Sequence, residues 1–374
     1  MSQSLADATL ITRFGDLIKL AQLLSKQSVL GVDTESNSLY AYQESVCLIQ
    51  FSTTQADYLI DPLAIQDLSP LGPIFSNPQI VKVFHAAEYD LLCLRRDYGF
   101  QFANLFDTML ASRLLGRANL GLGSLLEEEF DVIVNKRHQR ADWGQRPLPK
   151  HLLEYARIDT HYLIPLRERL QEDLKKAGRW ELACEDFERL CKINAAPREE
   201  NAIITRGIAG GRDLQPQQYT VLLQLCAYRE QAARQMNRPL FKVIGDKTLL
   251  AIAEACPRSS EQLRGLPGMT VGQVNRHGKA ILQAVQRGLE TRPISPPHSH
   301  RPDETFLSRL EKLRQWRKKT AASLGVESDV VLPKDLLYAL AEQNPQTHEE
   351  LSRILADVPY RLRQYGSQIM ALLR

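Results

Sequence analysis

An internal repeat in the C-terminal half constrains the fold of this 374-residue chain more than any other feature. When the sequence is shifted on itself so that residue 228 falls on residue 316, aromatic, basic and helix-punctuating positions coincide without a gap. The coinciding positions are Tyr228-Arg229 with Trp316-Arg317, Pro257 with Pro345, and Gly278 with Gly366. A repeat of this length with helical patterning predicts two copies of one small all-α domain, at residues 215–290 and 303–374.

Two polar segments separate these copies from each other and from the rest of the chain. Residues 194–214 contain a proline and a pair of glycines with no clean period, which predicts a linker. Residues 291–302, TRPISPPHSHRP, are rich in proline and predict a second linker. One alternative stays open, in which the second copy is a duplication that has kept no function.

Residues 1–193 alternate short β-rich runs with helical ones. The β-rich runs are VLGVDTE, VCLIQFST, DYLID and IVKVFHA, and helical runs include DTMLASRLLG and LGSLLEEEF. This alternation predicts an α/β domain, a mixed sheet flanked by helices, ahead of the two helical copies.

Charge is unevenly distributed along the chain. Residues 1–200 hold 22 Lys and Arg against 28 Asp and Glu, whereas residues 201–374 hold 25 against 16. An acidic body that needs cations, joined to a basic body that attracts a polyanion, suits a protein that acts on nucleic acid.

Cysteine usage and the N-terminal residues limit the cellular compartments in which we expect this protein. The six cysteines form no CxxC pair and lie mostly among apolar neighbours, which favours reduced, packed thiols over a zinc site. The opening MSQSLADATL has no cationic start followed by an apolar core, and no apolar run approaches the roughly 20 residues of a membrane span. We therefore expect a cytoplasmic protein without a membrane partner.

Two carboxylates lie close together in the apolar run LGVDTES. Strand side chains alternate between faces, so Asp33 and Glu35 point the same way from what we take to be the first strand. Two neighbouring anions repel each other, and such a pair persists where a cation lies between them or where the strand end is solvated. Taken alone, the pair leaves both interpretations open.

Further acidic residues extend this set. Asp90 lies in the first turns of a helix that follows a strand, and Tyr155 and Asp159 are spaced i and i+4 on one helical face. Asp107 directly precedes an apolar-periodic run, which predicts a helix N-cap.

The four carboxylates Asp33, Glu35, Asp90 and Asp159 could hold two divalent ions about 4 Å apart, which activate a water and stabilise the leaving oxygen in phosphodiester cleavage. Hard oxygen ligands select Mg2+ or Mn2+. The Tyr155 hydroxyl, one turn from a ligand, could orient the attacking water.

These motifs resemble a known family. DTE, HAAEYD and YARID are similar to the three motifs of the DEDD superfamily of 3′→5′ exonucleases, in the subclass whose third motif uses tyrosine. The segment KRHQRADWGQRPLPKHLLEYARIDTHYL resembles the ribonuclease D family, and the repeated module resembles the HRDC domain, of which bacterial ribonuclease D carries two. The resemblance covers nearly the whole chain and implies a ribonuclease H-like exonuclease domain.

The resemblance also implies roles for the acidic set. Asp33, Glu35 and Asp159 would hold the metal that activates water. Asp33, with Asp90 directly or through water, would hold the metal near the leaving 3′ oxygen, and Tyr155 would align the nucleophile.

Several residues are candidates for substrate contact. Ser36 stands where many family members carry a large aromatic residue, so Leu39 or Tyr40 is the candidate wedge against the terminal base. In NKRHQRADWGQRPL, the candidates are Lys136, Gln139, Trp143 and Arg146, with phosphate contact and ring stacking as the expected roles. The alternative is a surface loop that Trp143 pins in place. His85 is a further candidate, with a satisfied histidine at a buried strand end as the alternative.

Basic residues of the helical copies form a candidate RNA-backbone surface, with a solvated face as the alternative. In the first copy these residues are Arg264, Arg276 and Lys279. In the second copy they are Lys312, Arg314, Arg317, Lys318 and Lys319, around Trp316, while Leu310 and Leu313 face the core.

We therefore expect a monomeric, metal-dependent 3′→5′ exoribonuclease that releases 5′-mononucleotides from RNA with a free 3′ end, with tRNA precursors as substrate. Two alternatives stay open. The first is a DNA 3′→5′ exonuclease of repair type, because a contact to the 2′-hydroxyl is not legible in the sequence. The second is a non-catalytic RNA-binding protein.

Overall fold

The computed structural model describes residues 7–193, 208–297 and 303–374. The chain divides into two compact units. One unit comprises Met1–Ser36, Val46–Ala195 and Pro302–Arg374, and the other comprises Asn37–Ser45 and Ala196–Arg301. The units therefore do not follow the predicted boundaries in chain order. Of the predicted linkers, residues 194–207 and 298–302 lie outside the described residues.

A six-stranded mixed sheet organises the first unit. Its strands are β1 Thr9–Ile11, β2 Val29–Ser36, β3 Val46–Ser52, β4 Asp57–Ile60, β5 Val81–Phe84 and β6 Leu105–Asp107. Their order is β1-β4-β3-β2-β5-β6, and β3 runs antiparallel to both of its neighbours whereas the other pairs are parallel. The predicted mixed sheet is confirmed. The DTE strand is the second strand and not the first, because β1 has only three residues and too short a pattern to predict.

Helices cover both faces of this sheet. They are α1 Phe14–Leu24, α2 Gly72–Ser76, α3 Glu88–Tyr98, α4 Thr108–Leu114, α5 Leu122–Phe130, α6 Lys150–His161, α7 Leu163–Lys176 and α8 Trp180–Cys191. Single 3-10 turns occupy Ser69–Leu71 and Lys136–His138. All seven residues of β3 are buried, as expected for a strand with an apolar layer on each side.

The second unit contains the first helical copy. Its helices are α9 Pro216–Met236, α10 Leu240–Val243, α11 Asp246–Ala255, α12 Ser260–Arg264 and α13 Val271–Glu290, preceded by a 3-10 turn at Gly211–Asp213. Ile208 and Leu214, at the end of the predicted linker, are buried in the core of this unit. We did not predict these two residues as core because the apolar residues of this segment follow neither a helical nor a strand period.

The second copy belongs to the first unit. Its helices are α14 Glu304–Leu324, α15 Ser328–Val331, α16 Lys334–Gln343, α17 His348–Ile354 and α18 Pro359–Leu373. Each of these helices begins 88 residues after the start of the corresponding helix of the first copy. The first helix of each copy has 21 residues. The two-copy prediction is confirmed.

A buried ion-pair cluster packs the second copy against α8. Arg361 is fully buried, and its guanidinium donates to Glu185 at 2.5 Å and to Asp186 at 2.7 Å. The Glu185 carboxylate also accepts from the backbone N–H of Tyr360 at 2.6 Å, at the start of α18. The carboxylate therefore compensates both a side-chain charge and the positive end of a helix.

The loop Asn37–Ser45 packs on the first copy. The Tyr42 backbone N–H donates to Asn237 at 3.2 Å, and the Tyr42 hydroxyl bonds to Glu230. The Lys242 ammonium lies 4.1 Å from the centre of the Tyr40 ring.

Two further expectations concern thiols and membranes. All six cysteines are free, which agrees with the prediction of packed thiols. In the described part of the chain, no helix combines the length and apolar character that a bilayer span requires.

Candidate active site

Strand β2 presents Asp33 and Glu35 on one face of the sheet. Asp33 lies opposite Gln50 of β3, whose side-chain amide nitrogen donates to the Asp33 carboxylate at 3.4 Å. The pairing register shifts just after Glu35, between Glu35 and Ser36. This irregularity ends the regular ladder at the acidic pair, a common position for a bulge beside a site.

Helix α6 places Tyr155 and Asp159 over this strand. A Cβ on Gly31 would lie 2.7 Å from the Thr160 backbone oxygen, so the close approach of α6 to β2 requires glycine there. The Ser52 hydroxyl bonds to the Thr160 hydroxyl at 2.7 Å and to Asp57 at 2.7 Å. These contacts fix the end of α6 against β2 and β3.

Three carboxylates converge at this crossing. Asp33, Glu35 and Asp159 each offer an oxygen, and these oxygens lie within 4.8 Å of one another. The structure thus brings together acidic residues from two distant segments of the sequence.

Asp90 reaches the same edge of the sheet from α3. Strand β5 runs parallel to β2, so both strands end on the same side, and α3 begins just after β5. Asp90 is buried, and the Thr34 hydroxyl, between the two strand acids, bonds to its carboxylate.

Asp107 fixes the turn that leads into α3. Its carboxylate caps α4 by accepting from the N–H of Met109 at 2.8 Å and of Leu110 at 3.0 Å, which confirms the N-cap prediction. It also accepts from the N–H of Ala86 at 3.1 Å and of Ala87 at 2.7 Å. Ala86 has a φ of 61°, so these bonds hold a left-handed turn that a residue with a Cβ seldom adopts.

Burial and mutual repulsion dominate the electrostatics of the acidic group. Burial, then the charges of Asp90, Asp159 and Glu35, raise the pKa of Asp33 well above its usual range. Burial, followed by Asp159 and Asp90, does the same to the pKa of Glu35. Burial raises the pKa of Asp90 to about 7, against the opposing hydrogen bond from Thr34.

Asp159 and Tyr155 are coupled on α6. Burial raises the pKa of Asp159 to about 7, and the hydrogen bond from the Tyr155 hydroxyl opposes this rise. Burial and then the Asp159 charge raise the pKa of the tyrosine. Tyr155 is therefore a neutral donor throughout the neutral pH range.

This donor set fits divalent cations. All three converging ligand atoms are carboxylate oxygens, the preferred ligands of hard cations, and raised pKa values show that the charges of these acids lack compensation. A bound cation would supply that compensation.

Aromatic rings surround Tyr155. Trp143 is 1 % exposed and its ring centre lies 6.2 Å from that of Tyr155, in a buried cluster with Leu152. The indole therefore supports the tyrosine from within the core, which agrees with the alternative that Trp143 pins its loop. His138 packs edge-on at 5.7 Å from the same ring; the sequence reasoning missed this residue.

Arg146 and His85 have structural partners. The Arg146 guanidinium donates to both oxygens of Asp61 at 2.7 Å and to the Cys47 carbonyl at 2.7 Å. The Nδ1 atom of His85 lies 2.9 Å from the Thr108 hydroxyl, and burial lowers the pKa of His85 to about 4. These contacts favour a structural role over phosphate contact for Arg146, and a satisfied buried histidine over substrate contact for His85.

The remaining candidates for substrate contact differ in exposure and in the unit to which they belong. Gln139 is exposed, and the Lys136 side chain lies outside the described part of the structure. Leu39 is 38 % exposed and Tyr40 is partly buried, and both belong to the second unit. Their roles stay predictions.

The basic candidates of the helical copies differ in their contacts. Arg264, Arg276, Lys279, Lys312, Lys318 and Lys319 are exposed. Arg314 donates to the Tyr338 hydroxyl at 2.8 Å, and Arg317 donates to the Leu332 carbonyl at 3.0 Å. Leu310 and Leu313 are buried as predicted.

Four residues beside the carboxylates were missed from the sequence: Gly31, Thr34, Gln50 and Thr160. Only Gly31 carried a signal, because an isolated glycine within a strand pattern indicates close approach of another backbone. The other three are ordinary strand and helix residues whose contacts arise from packing between distant segments.

Known proteins share this architecture. Residues 10–175 match the 3′-5′ exonuclease family, and residues 218–285 and 306–373 each match the HRDC domain. Ribonuclease D of Pseudomonas paraeruginosa is 32 % identical over 84 % of this chain and 84 % of its own length. Ribonuclease D of Nitrobacter hamburgensis is 30 % identical over 89 % of this chain and 88 % of its own.

A solved structure has the same fold. Ribonuclease D of Escherichia coli superposes with a TM-score of 0.71 at 24 % identity, covering 96 % of this chain and 100 % of that chain. The relatives match along both the catalytic and the helical parts of this chain. The match identifies the chain as a hydrolytic 3′-5′ exonuclease that acts on RNA. The chain belongs to the ribonuclease D family of exoribonucleases.

Proposed function

We propose that this enzyme shortens structured RNA precursors, with tRNA precursors as the substrate, one nucleotide at a time from the 3′ end. The observation that carries the proposal is the convergence of Asp33, Glu35 and Asp159 within 4.8 Å. The Tyr155 hydroxyl is bonded to Asp159, and the charge of Asp90 acts on Asp33. The products are 5′-mononucleotides, because the water attacks the phosphorus and the 3′ oxygen leaves.

Asp33, Glu35 and Asp159 would hold one divalent cation, and Asp33 with Asp90 a second. When bound, two such ions supply a nucleophilic hydroxide and stabilise the charge of the leaving oxygen. Mg2+ and Mn2+ both suit oxygen ligands of this kind.

The residues of the chain then have distinct tasks. The Tyr155 hydroxyl, held by its hydrogen bond to Asp159, orients the attacking water toward the phosphorus. Trp143 keeps the phenol ring in place from the buried side. Thr34 sets the orientation of the Asp90 carboxylate.

The basic half of the chain would retain the substrate during repeated cleavage. Residues 201–374 hold 25 Lys and Arg against 16 Asp and Glu, which favours a polyanion over a neutral ligand. We propose that the enzyme works as a cytoplasmic monomer.

An end-labelled cleavage time course tests this function. The substrates are a tRNA with a short 3′ extension and a DNA of the same sequence, each with Mg2+, Mn2+ or a chelator, beside Asp33→Asn as the inactive control. We expect stepwise shortening of the RNA only with metal and the wild-type carboxylate. Shortening of DNA alone would move the function to DNA, and cleavage that persists in the chelator or in Asp33→Asn would contradict the metal assignment.

A further inference from the structure

The two helical copies use one corresponding edge differently. In the second copy, the edge formed by the turn after α14, by α15 and by the start of α18 packs against the catalytic domain. Val326, Val330 and Tyr360 join the apolar cluster around Phe106 there. At the rim, Arg113 of the catalytic domain pairs with Glu327 at 2.6 Å.

The first copy has the same backbone at this edge. Gln273 of α13 donates to the Val243 carbonyl at 3.3 Å, and Arg361, at the corresponding position of the second copy, donates to the Val331 carbonyl at 3.2 Å. The side chain at this position thus bridges the same two helices in both copies. The outward-facing side chains differ between the copies. In the first copy one of them, Lys242 at the position of Val330, lies against the Tyr40 ring of the Asn37–Ser45 loop.

At corresponding outward-facing positions, the first copy carries basic or apolar residues, whereas the second copy carries apolar or acidic residues. Val326 corresponds to Arg238, Asp329 to Phe241, and Asp335 to Lys247. We call the surface of Met236, Arg238, Phe241, Lys247, Val271 and Arg276 the open edge.

The open edge is exposed and slightly concave. Phe241 is 56 % exposed and Val271 is 66 % exposed, and Arg238, Lys247 and Arg276 are exposed as well. Met236, Arg238 and Arg276 line a depression of about 430 Å³. Phe241 and Val271 thus leave large apolar side chains in water at an edge whose counterpart in the second copy is covered by the catalytic domain.

Charge favours a polyanion as that ligand. Residues 215–290 hold 10 Lys and Arg against 5 Asp and Glu, whereas residues 303–374 hold 11 against 10. The nearby acid Asp246 is paired with Arg229 at 2.5 Å, so it does not cancel the charge of the edge.

We propose that the open edge binds the single-stranded part of the RNA substrate, with a base on the Phe241 ring and phosphates at Arg238, Lys247 and Arg276. Aromatic rings stack on unpaired bases, and neighbouring cations follow the backbone of a single strand. In the second copy, the catalytic domain covers the corresponding edge. The proposal rests on the proposed function in taking RNA as the substrate.

Binding measurements on the full chain test this site. The probe is a single-stranded RNA of about 12 nucleotides, within the usual range of site sizes, and Asp33→Asn in every protein prevents cleavage. Phe241→Leu removes the ring but keeps an apolar side chain, and we expect affinity to fall about 10-fold. Phe241→Trp keeps a ring, and we expect it to retain the affinity.

Charge is tested with a matched pair of double variants. Arg238→Gln with Lys247→Gln should lower the slope of log affinity against log salt by about 0.7 for each phosphate that the protein no longer neutralises. Arg258→Gln with Arg287→Gln removes the same charge from exposed positions of the same copy away from this edge, and its slope should stay closer to that of the parent protein.

Two results would overturn the proposal. Affinity of Phe241→Leu equal to that of the parent protein would show that the Phe241 ring does not contact the RNA. An equal loss of affinity and slope in both double variants would show a diffuse charge effect without a site. Neither result depends on cleavage, so failure of the open edge and failure of the exonuclease function are separate outcomes.

Discussion

Gly31 and Thr160 meet where α6 crosses β2: a Cβ at position 31 would lie 2.7 Å from the Thr160 backbone oxygen. This oxygen belongs to the residue next to Asp159, and Gly31 lies two positions before Asp33 on the same strand face. The distance between the acidic residues of β2 and Asp159 of α6 therefore depends on the absence of a Cβ atom at position 31.

Gly31→Ala is expected to displace the end of α6 and to lower the cleavage rate more than RNA affinity. The clash involves backbone, so we expect a loss of about 1–3 kcal/mol in the free energy of unfolding, as for an overpacked core. Gly15→Ala is the matched control, because a Cβ at position 15 meets no atom within 4 Å. Chemical denaturation and single-turnover cleavage measure the two effects, and wild-type rates in Gly31→Ala would contradict this account of the crossing.

Tyr155→Phe should reduce the single-turnover rate by about 10²-fold, the scale of a positioned catalytic group. RNA affinity should change little, because the ring and its packing against Trp143 remain. Tyr58→Phe, which removes a hydroxyl from β4, serves as control. A rate in Tyr155→Phe that matches the control would remove the tyrosine from the reaction.

The metal-free enzyme should lose stability as pH rises from about 4 to about 7. The folded pKa values of Asp90 and Asp159 are raised from 3.8 to about 7, so the folded state binds more protons than the unfolded state in this window. Thermal unfolding in chelator measures the trend. The double variant Asp90→Asn with Asp159→Asn should show a flatter profile, and identical profiles would contradict the raised pKa values.

Divalent cations should stabilise the wild-type protein. A ligand at 100 times its dissociation constant adds about 2.7 kcal/mol to the free energy of unfolding. We expect Mg2+ or Mn2+ to raise the melting temperature of wild type and to have little effect on Asp33→Asn, which lacks one carboxylate of the metal site. An equal rise in both proteins would place the cation elsewhere.

Arg361→Met should destabilise the chain by about 3–5 kcal/mol, because it leaves the Glu185 and Asp186 carboxylates buried without their cation. Arg363→Met removes an exposed pair with Glu181, and its effect should stay below about 1 kcal/mol. Denaturant titration of both variants measures the difference. Similar small effects would show that the second copy is held by its apolar contacts alone.

Local patterns in the sequence were sufficient for the fold class, the two helical copies and the acidic motifs. The alternation of Asp33 and Glu35 follows from strand geometry, and the spacing of Tyr155 and Asp159 follows from the helical turn. The N-cap role of Asp107 was equally local. Each of these inferences uses residues at most four positions apart or a repeated pattern.

Packing between distant segments decided the rest. The burial of Trp143 beneath Tyr155, the pairing of Arg146 with Asp61 and the hydrogen bond between Thr34 and Asp90 join residues far apart in sequence. The division of labour between the two copies is of the same kind. Their sequences predict one backbone, but only the buried contacts of Arg361 show which copy holds the catalytic domain, because burial of a charge depends on what lies against it.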